Sequence, residues 1–221
     1  MGLLPGLPVP RDLRRAAVNA WDRVVGGHLA DLRPTPGVVV DATPLRTVTR
    51  YTVDPARRTG LPVLLVPPLA APATAFDLRR GCSLVEHLVA SGREVYLVDY
   101  GPVAFADRAL GVEHWVDDLL HGVVRLISRD GGAGTREVHL LGWSLGGIFA
   151  LFTAAAHPGL PIRSVTAVAS PFDLSAVPLL APFRPIARYG GNQAVGVLYR
   201  SLGWIPAPLT RWAFQPSSLE K

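Results

Sequence analysis

The sequence is poor in several residue types that define whole classes of protein. Its 221 residues include a single cysteine, Cys82, which excludes an intramolecular disulfide and a zinc site built from cysteines. Charged residues make up only 18%, against roughly 25% in typical globular proteins, while apolar residues make up 49%. Intrinsic disorder over most of the chain is therefore excluded, because disordered chains are polar and highly charged.

Lysine is almost missing as well. Of the 22 basic residues only Lys221 is lysine, so the formal net charge of +5 comes from arginine. The arginines are scattered and adjoin only in three pairs, at 14–15, 57–58 and 79–80. No basic stripe with interleaved aromatic residues is present, which argues against a nucleic-acid partner. We predict neither a nucleic-acid partner nor a cofactor or metal.

Membrane insertion is not predicted, although the mean hydropathy is high at +0.28. The N-terminus lacks the charged region of a signal peptide and is interrupted by prolines. The stretch from Val138 to Ile162 carries no Asp, Glu, Lys or Arg and exceeds the ~20 residues of a membrane span, but glycines and prolines interrupt it. We interpret it as a strand, a tight turn and a helix. The expected location is cytoplasmic, with peripheral membrane or lipid contact as an open alternative.

Strands and helices alternate along the chain. An amphipathic helix over 11–32 is expected to pack on the domain, with a membrane-surface anchor as the alternative. Strands are then predicted at 37–41, 45–53, 62–67, 94–99, 137–141 and 162–169, and helices at 83–90, 112–129 and 144–156. Ser83 and Glu86 form a capping-box pattern. Strands alternating with helices indicate a mostly parallel sheet covered on both faces.

The motif Gly142-Trp-Ser144-Leu-Gly146 carries the chemistry. It lies between an apolar strand and an apolar helix, the context in which Gly-x-Ser-x-Gly forms a nucleophile elbow. The sharp turn strains the serine backbone and exposes its hydroxyl, and the helix N-terminus favours developing negative charge. Ser144 is therefore predicted as a nucleophile; a glycine-rich turn without chemistry is the alternative.

An oxyanion hole requires two backbone donors. The residue after the nucleophile, Leu145, supplies one. The loop after the strand at 62–66 is expected to supply the other; because Pro67 and Pro68 have no N–H, the first donor there is Leu69, followed by Ala70. A stiff loop that merely ends the strand remains the alternative.

These features resemble the α/β-hydrolase fold and, within it, the polyhydroxyalkanoate synthase-like branch. The branch resemblance is carried by the stretches at 64–69, 76–79 and 83–96, by the elbow and by Ser170-Pro-Phe-Asp173, within a region of about 35–173. It implies acyl ester or acyl-CoA thioester substrates. Polymer synthases of this family use cysteine at the elbow, whereas this chain has Ser144. That difference moves the expectation toward ester or thioester hydrolysis or acyl transfer.

A base for the serine is missing from the expected place. In this fold an Asp or Glu and then a His follow the nucleophile. The only later histidine is His157, about 20 Å away at the far end of the same helix if each residue rises ~1.5 Å. The histidines at 28, 87, 114, 121 and 139 precede the elbow and are read as structural. Asp173 is the weak candidate for the acid, ahead of Asp99 and Asp107.

Three regions follow: an N-terminal helical extension (1–34), the N-terminal half of an α/β-hydrolase core (35–173) and a proline-rich start of a lid (174–221). We expect a partial chain whose sheet is incomplete at its C-terminal edge, with a complementing C-terminal segment or subunit. The predicted function is a serine hydrolase or acyltransferase with an incomplete triad. The alternative is a non-catalytic protein of this fold that binds lipid or a partner.

Overall fold

The computed structural model describes residues 31–130 and 135–172. Six strands form one sheet in the order β1-β2-β6-β3-β7-β8. They are β1 (Val38–Thr43), β2 (Arg46–Tyr51), β3 (Val63–Val66), β6 (Val95–Asp99), β7 (Val138–Trp143) and β8 (Ile162–Val168). β6, β3, β7 and β8 are parallel, while β2 runs antiparallel to β1 and to β6. The predicted mostly parallel sheet is confirmed.

Two apolar clusters explain why the central strands are apolar throughout. Alternate side chains of a strand point to opposite faces. Leu64 and Val66 of β3 therefore enter one cluster, while Val63 and Leu65 enter the other. β6 divides in the same way, with Tyr96 and Val98 on one face. Helices cover both faces, as the continuous apolar runs predicted.

The first helix of the described residues, α1 (Leu84–Ala90), begins as predicted, at Ser83, whose Oγ accepts a hydrogen bond from Glu86 N–H at 3.0 Å. The other half of the predicted capping box does not form. The Glu86 carboxylate accepts instead from Gly81 N–H at 2.8 Å, because a short hairpin of β4 (Asp77–Arg79) and β5 (Cys82–Ser83) brings that amide close.

The second predicted helix, over 112–129, is not a regular α-helix in its first half. His114–Leu120 is π-helical and continues into α2 (His121–Arg129). π-helical turns are rare in proteins overall, and those that occur often lie near functional sites. Here the π-helical segment carries Trp115, whose ring contacts Tyr100 edge-on and stacks on Phe149. Val112, the apolar residue at the start of the predicted helix, is exposed.

The uncharged stretch folds as predicted into β7, a turn at Ser144 and α3 (Leu145–Ala156). In the described part of the chain, no helix is long and apolar enough to cross a bilayer. Three short 3₁₀ turns, Pro55–Arg57, Ala73–Phe76 and Phe105–Asp107, lie in the connections. Residues 11–30 of the helix predicted at 11–32, almost all of the N-terminal extension and the proline-rich 174–221 region lie outside the described residues, and residues 31–32 are not helical.

Candidate active site

Ser144 sits at the point where β7 turns into α3. Its φ of 53° and ψ of −121° put a non-glycine residue in the left-handed half of backbone space, a conformation that costs energy and persists only where the surroundings enforce it. The Ser144 side chain makes no capping hydrogen bond to the helix, and the residue is half-buried. The predicted backbone strain is thus present, and the hydroxyl is not used by the helix.

The tight turn requires glycine at positions 142 and 146, because backbone atoms of neighbouring segments fill the space that a Cβ would need. A Cβ at Gly142 would lie 2.5 Å from the Gly146 carbonyl oxygen and from the Gly147 nitrogen. A Cβ at Gly146 would overlap the carbonyl oxygen of Val66 and lie 2.6 Å from that of Pro67. The start of α3 therefore rests directly on the end of β3, so the elbow and the loop after β3 are neighbours.

Two backbone donors lie at this junction. Leu145 is the first residue of α3, so no residue of the helix can accept its N–H. Leu69 follows Pro67 and Pro68, which have no N–H, and it is half-buried against the core. The oxyanion roles predicted for Leu145 and Leu69 stay predictions, but each residue belongs to one of the two segments that Gly146 brings into contact.

Tyr100 fixes the loop after β3 and was not identified from the sequence. Its buried hydroxyl donates to the Pro67 carbonyl oxygen at 3.1 Å. Burial, followed by the charge of Asp99, raises the pKa of Tyr100 above its usual range, so the phenol remains a protonated donor. Through Trp115, which stacks on Phe149, the same ring is packed against α3. An aromatic residue directly after a parallel strand was the available signal.

A cavity of about 350 Å³ opens at the carboxyl edge of the sheet. Residues of the loop between Pro67 and Ala73 line it on one side, and Asp99, Tyr100 and Gly101 line it on the other. Leu69 is a shared element of this cavity and of the predicted oxyanion hole. Ser144 is not among the lining residues.

The described histidines have partners or positions away from Ser144. His157 Nε2 lies 2.9 Å from Asp117 Oδ1, and His139 Nδ1 lies 2.7 Å from Ser164 Oγ. His114 faces Asp118 at 3.5 Å, His121 contacts the His157 ring, and His87 is exposed on α1. Within 31–130 and 135–172, no histidine hydrogen-bonds the Ser144 hydroxyl. His28 lies outside the described residues.

The candidate acids do not complete a triad in the described region. Asp173 lies just outside it. Asp99 accepts a hydrogen bond from Gly101 N–H at 2.8 Å, and Asp107 accepts one from Ala104 N–H at 2.8 Å. Both carboxylates thus hold local loop structure after β6. No group of three or more His, Cys, Asp or Glu suited to a metal occurs among the described residues.

Curated relatives share the stretch around this site. The chain is 28% identical over 154 residues to the poly(3-hydroxyalkanoate) polymerase subunit PhaC of Allochromatium vinosum, covering 70% of this chain and 41% of that protein. It is 28% identical over 177 residues to PhaC of Cupriavidus necator, covering 78% of this chain and 29% of the relative. The chain thus spans about two fifths or less of the length of these relatives. No protein-family model matches it.

Solved structures give weaker matches. A mouse α/β-hydrolase domain-containing protein 10 is 18% identical with a TM-score of 0.45, covering 80% of this chain and 69% of its own. An epoxide hydrolase from Vigna radiata is 15% identical with a TM-score of 0.47, covering 70% and 44%. The sheet order, the elbow and the curated sequence matches carry the assignment. The chain has an α/β-hydrolase-like fold, and its resemblance to the polyhydroxyalkanoate synthase-like branch is confirmed.

Proposed function

We propose that this chain carries the nucleophile half of a serine hydrolase or acyltransferase that acts on acyl esters or acyl-CoA thioesters. The single observation that carries the proposal is the strained Ser144 between β7 and α3, at a φ of 53° with a side chain that caps nothing. Such backbone strain costs energy and clusters at active sites, and here it falls on a residue whose hydroxyl can act as a nucleophile. The similarity to PhaC proteins supports acyl substrates.

In the proposed reaction Ser144 Oγ attacks the substrate carbonyl carbon and gives its proton to the general base, which later passes it to the leaving group. Negative charge develops on the carbonyl oxygen, where Leu145 N–H and Leu69 N–H stabilise it. The carbon–oxygen or carbon–sulfur bond to the leaving group breaks, and the leaving group takes up a proton. Water or an alcohol then accepts the acyl group from Ser144. Acceptors of both kinds fit a serine enzyme similar to the polymerases.

The general base belongs, in this proposal, to a complementing segment or subunit. Two observations support it: His157 is the only histidine after Ser144, and its Nε2 lies 2.9 Å from Asp117 Oδ1. A base must come within hydrogen-bond reach of the hydroxyl that it deprotonates. We therefore expect residues 1–221 alone to turn over esters very slowly, because losing the base of a triad costs on the order of 10⁶ in one protease.

Contact with apolar acyl or lipid material is part of the same proposal, as is a cytoplasmic location. Trp143 and Leu145 beside the serine, and Phe172 after β8, expose large apolar side chains. Such residues suit an acyl chain or a lipid surface. The non-catalytic alternative accounts for these exposed residues, but it gives no role to the Ser144 hydroxyl, which caps nothing.

An alkyl fluorophosphonate tests the nucleophile. Ser144 Oγ displaces fluoride from phosphorus, the hydroxyl proton passes to solvent, and the adduct mass locates the modified residue. We expect slow, stoichiometric labelling of Ser144, its loss in Ser144→Ala, and unchanged labelling in Ser164→Ala, which removes a serine hydroxyl from β8. Labelling that survives Ser144→Ala, or that maps to another residue, contradicts the proposal.

A further inference from the structure

The geometry points to Ser170 as a positioning residue that sets the direction of the Leu145 N–H, the proposed oxyanion donor. This inference rests on the proposed function of Ser144. It begins with a hydrogen bond between residues 26 positions apart. Ser170 Oγ donates to the Ser144 carbonyl oxygen at 2.8 Å. That oxygen also accepts from Gly147 N–H at 3.0 Å and, more weakly, from Ile148 N–H at 3.4 Å.

The carbonyl of Ser144 and the N–H of Leu145 belong to one peptide group. A peptide group is planar and almost always trans, so its C=O and N–H point in opposite directions. A bond that fixes the Ser144 oxygen consequently fixes the Leu145 N–H on the other side of the same plane. Ser170 thus acts on the oxyanion donor without touching substrate.

The chain after β8 is shaped to deliver this hydroxyl. Between Val168, whose carbonyl accepts from Ser144 N–H at 2.8 Å, and Ser170 lies Ala169 with a φ of 48°. A left-handed alanine costs roughly 1–2 kcal/mol, so an unconstrained chain would avoid it. Ala169 lies between Val168 and Ser170. Val168 holds the peptide N–H of Ser144, and Ser170 holds its carbonyl oxygen.

Gly147 leaves the room that the hydroxyl occupies. A Cβ at Gly147 would overlap Ser170 Oγ and approach the Ala167 side chain at 3.1 Å. The absence of a side chain at the second glycine of the helix therefore has a specific consequence: the Ser170 hydroxyl can reach the elbow carbonyl. Three features, a hydrogen bond, a strained alanine and a glycine, converge on one contact.

The test compares Ser170→Ala with Ser170→Thr, which keeps the hydroxyl, and with Ser164→Ala, which removes a hydroxyl that bonds His139 instead. The first readout is the rate at which the fluorophosphonate labels Ser144. We expect about a tenfold decrease in Ser170→Ala, less than the 10²–10³ for deleting an oxyanion donor, because Gly147 N–H still holds the carbonyl. Ser170→Thr restores the rate, and Ser164→Ala leaves it unchanged.

The second readout is the Leu145 amide proton in the NMR spectrum of the labelled protein. In the unsubstituted protein this proton moves downfield as it bonds the phosphonyl oxygen, and in Ser170→Ala the movement shrinks. A merely structural role would leave that shift unchanged. Equal labelling rates and equal Leu145 shifts in the unsubstituted protein and Ser170→Ala overturn the inference while the proposed function stands.

A third readout distinguishes failure of the proposed function from failure of the Ser170 inference. If the unsubstituted protein is not labelled at Ser144, the proposed function fails, and amide hydrogen exchange of Gly147 N–H, which bonds the same Ser144 carbonyl oxygen as Ser170 Oγ, decides the contact by itself. Faster exchange in Ser170→Ala, reversed in Ser170→Thr, supports the positioning contact. Unchanged exchange overturns it, whatever the chemistry of Ser144.

Discussion

At the scale of single residues, Tyr100 connects the two segments that the proposed chemistry needs. Its hydroxyl holds the Pro67 carbonyl, two residues before Leu69, and its ring contacts Trp115. Trp115 in turn stacks on Phe149 of α3, the helix that begins at Leu145. One buried phenol thus links the proposed donor on the loop after β3 with the helix that carries the other donor.

Tyr100→Phe tests that link. The substitution keeps the ring but leaves the Pro67 carbonyl without its side-chain donor, so we expect a loss of about 1–2 kcal/mol in unfolding free energy and slower labelling of Ser144. Urea unfolding and the fluorophosphonate rate measure the two effects. Tyr51→Phe is the control, because the described residues offer the Tyr51 hydroxyl no hydrogen-bond partner. Equal effects of both variants would contradict the role of Tyr100.

At the scale of elements, the decisive contact is that of α3 with the end of β3. Gly146 lies against the Val66 and Pro67 carbonyls so closely that any side chain would force the two elements apart. Backbone cannot give way as the end of a long side chain can. The spacing of helix and strand therefore sets the distance between the two proposed oxyanion donors.

Gly146→Ala is expected to lower the unfolding free energy by about 3 kcal/mol or more and to abolish labelling of Ser144, since overpacking against backbone has no cheap relief. Gly159→Ala is the matched control, because a Cβ there meets nothing within 4 Å. Urea unfolding of the two variants measures the difference. A Gly146→Ala protein as stable as Gly159→Ala would show that the helix and strand are not in contact as described.

At the scale of the whole molecule, histidines join distant parts of the chain. His157 at the end of α3 bonds Asp117 of the π-helical segment, and its ring lies 4.7 Å from that of His121. Desolvation lowers the pKa of His121, and the charges of His157 and Arg125 lower it further, while Asp117 opposes the shift. The folded protein consequently binds this proton less readily than the unfolded chain does.

The lowered pKa of His121 makes the stability of the protein depend on pH. Where a histidine pKa is lower in the folded state, the unfolded state binds more protons, so stability falls as the pH drops below about 6.5, the usual histidine pKa. His121→Gln should flatten the fall in unfolding free energy between pH 7 and pH 5. Urea unfolding at several pH values measures the slope, with His87→Gln as an exposed control. An unchanged slope in His121→Gln would contradict this account.

Much of the fold could be predicted because it depends on local pattern. Apolar runs bounded by Gly and Pro located β3 and β6, and the serine between two glycines located the elbow. The prediction was wrong where contacts or windings outside the local pattern changed the outcome. Glu86 matches a capping box, yet it bonds Gly81 because the β4–β5 hairpin brings that amide within reach. The 3.6-residue period likewise did not show that 114–120 winds as a π-helix.

The sequence by itself determined the chain order of the six strands of the large sheet and of the helices between them, the apolar character of the central strands and the identity of the candidate nucleophile. These depend on residue types at fixed short spacings, which constrain backbone conformation directly. Only the tertiary structure decided what surrounds Ser144. The bonds from Tyr100 to Pro67 and from Ser170 to Ser144 join residues 33 and 26 positions apart. Sequence periodicity cannot predict such pairs, because the sheet and its loops bring the residues together only after the chain has folded.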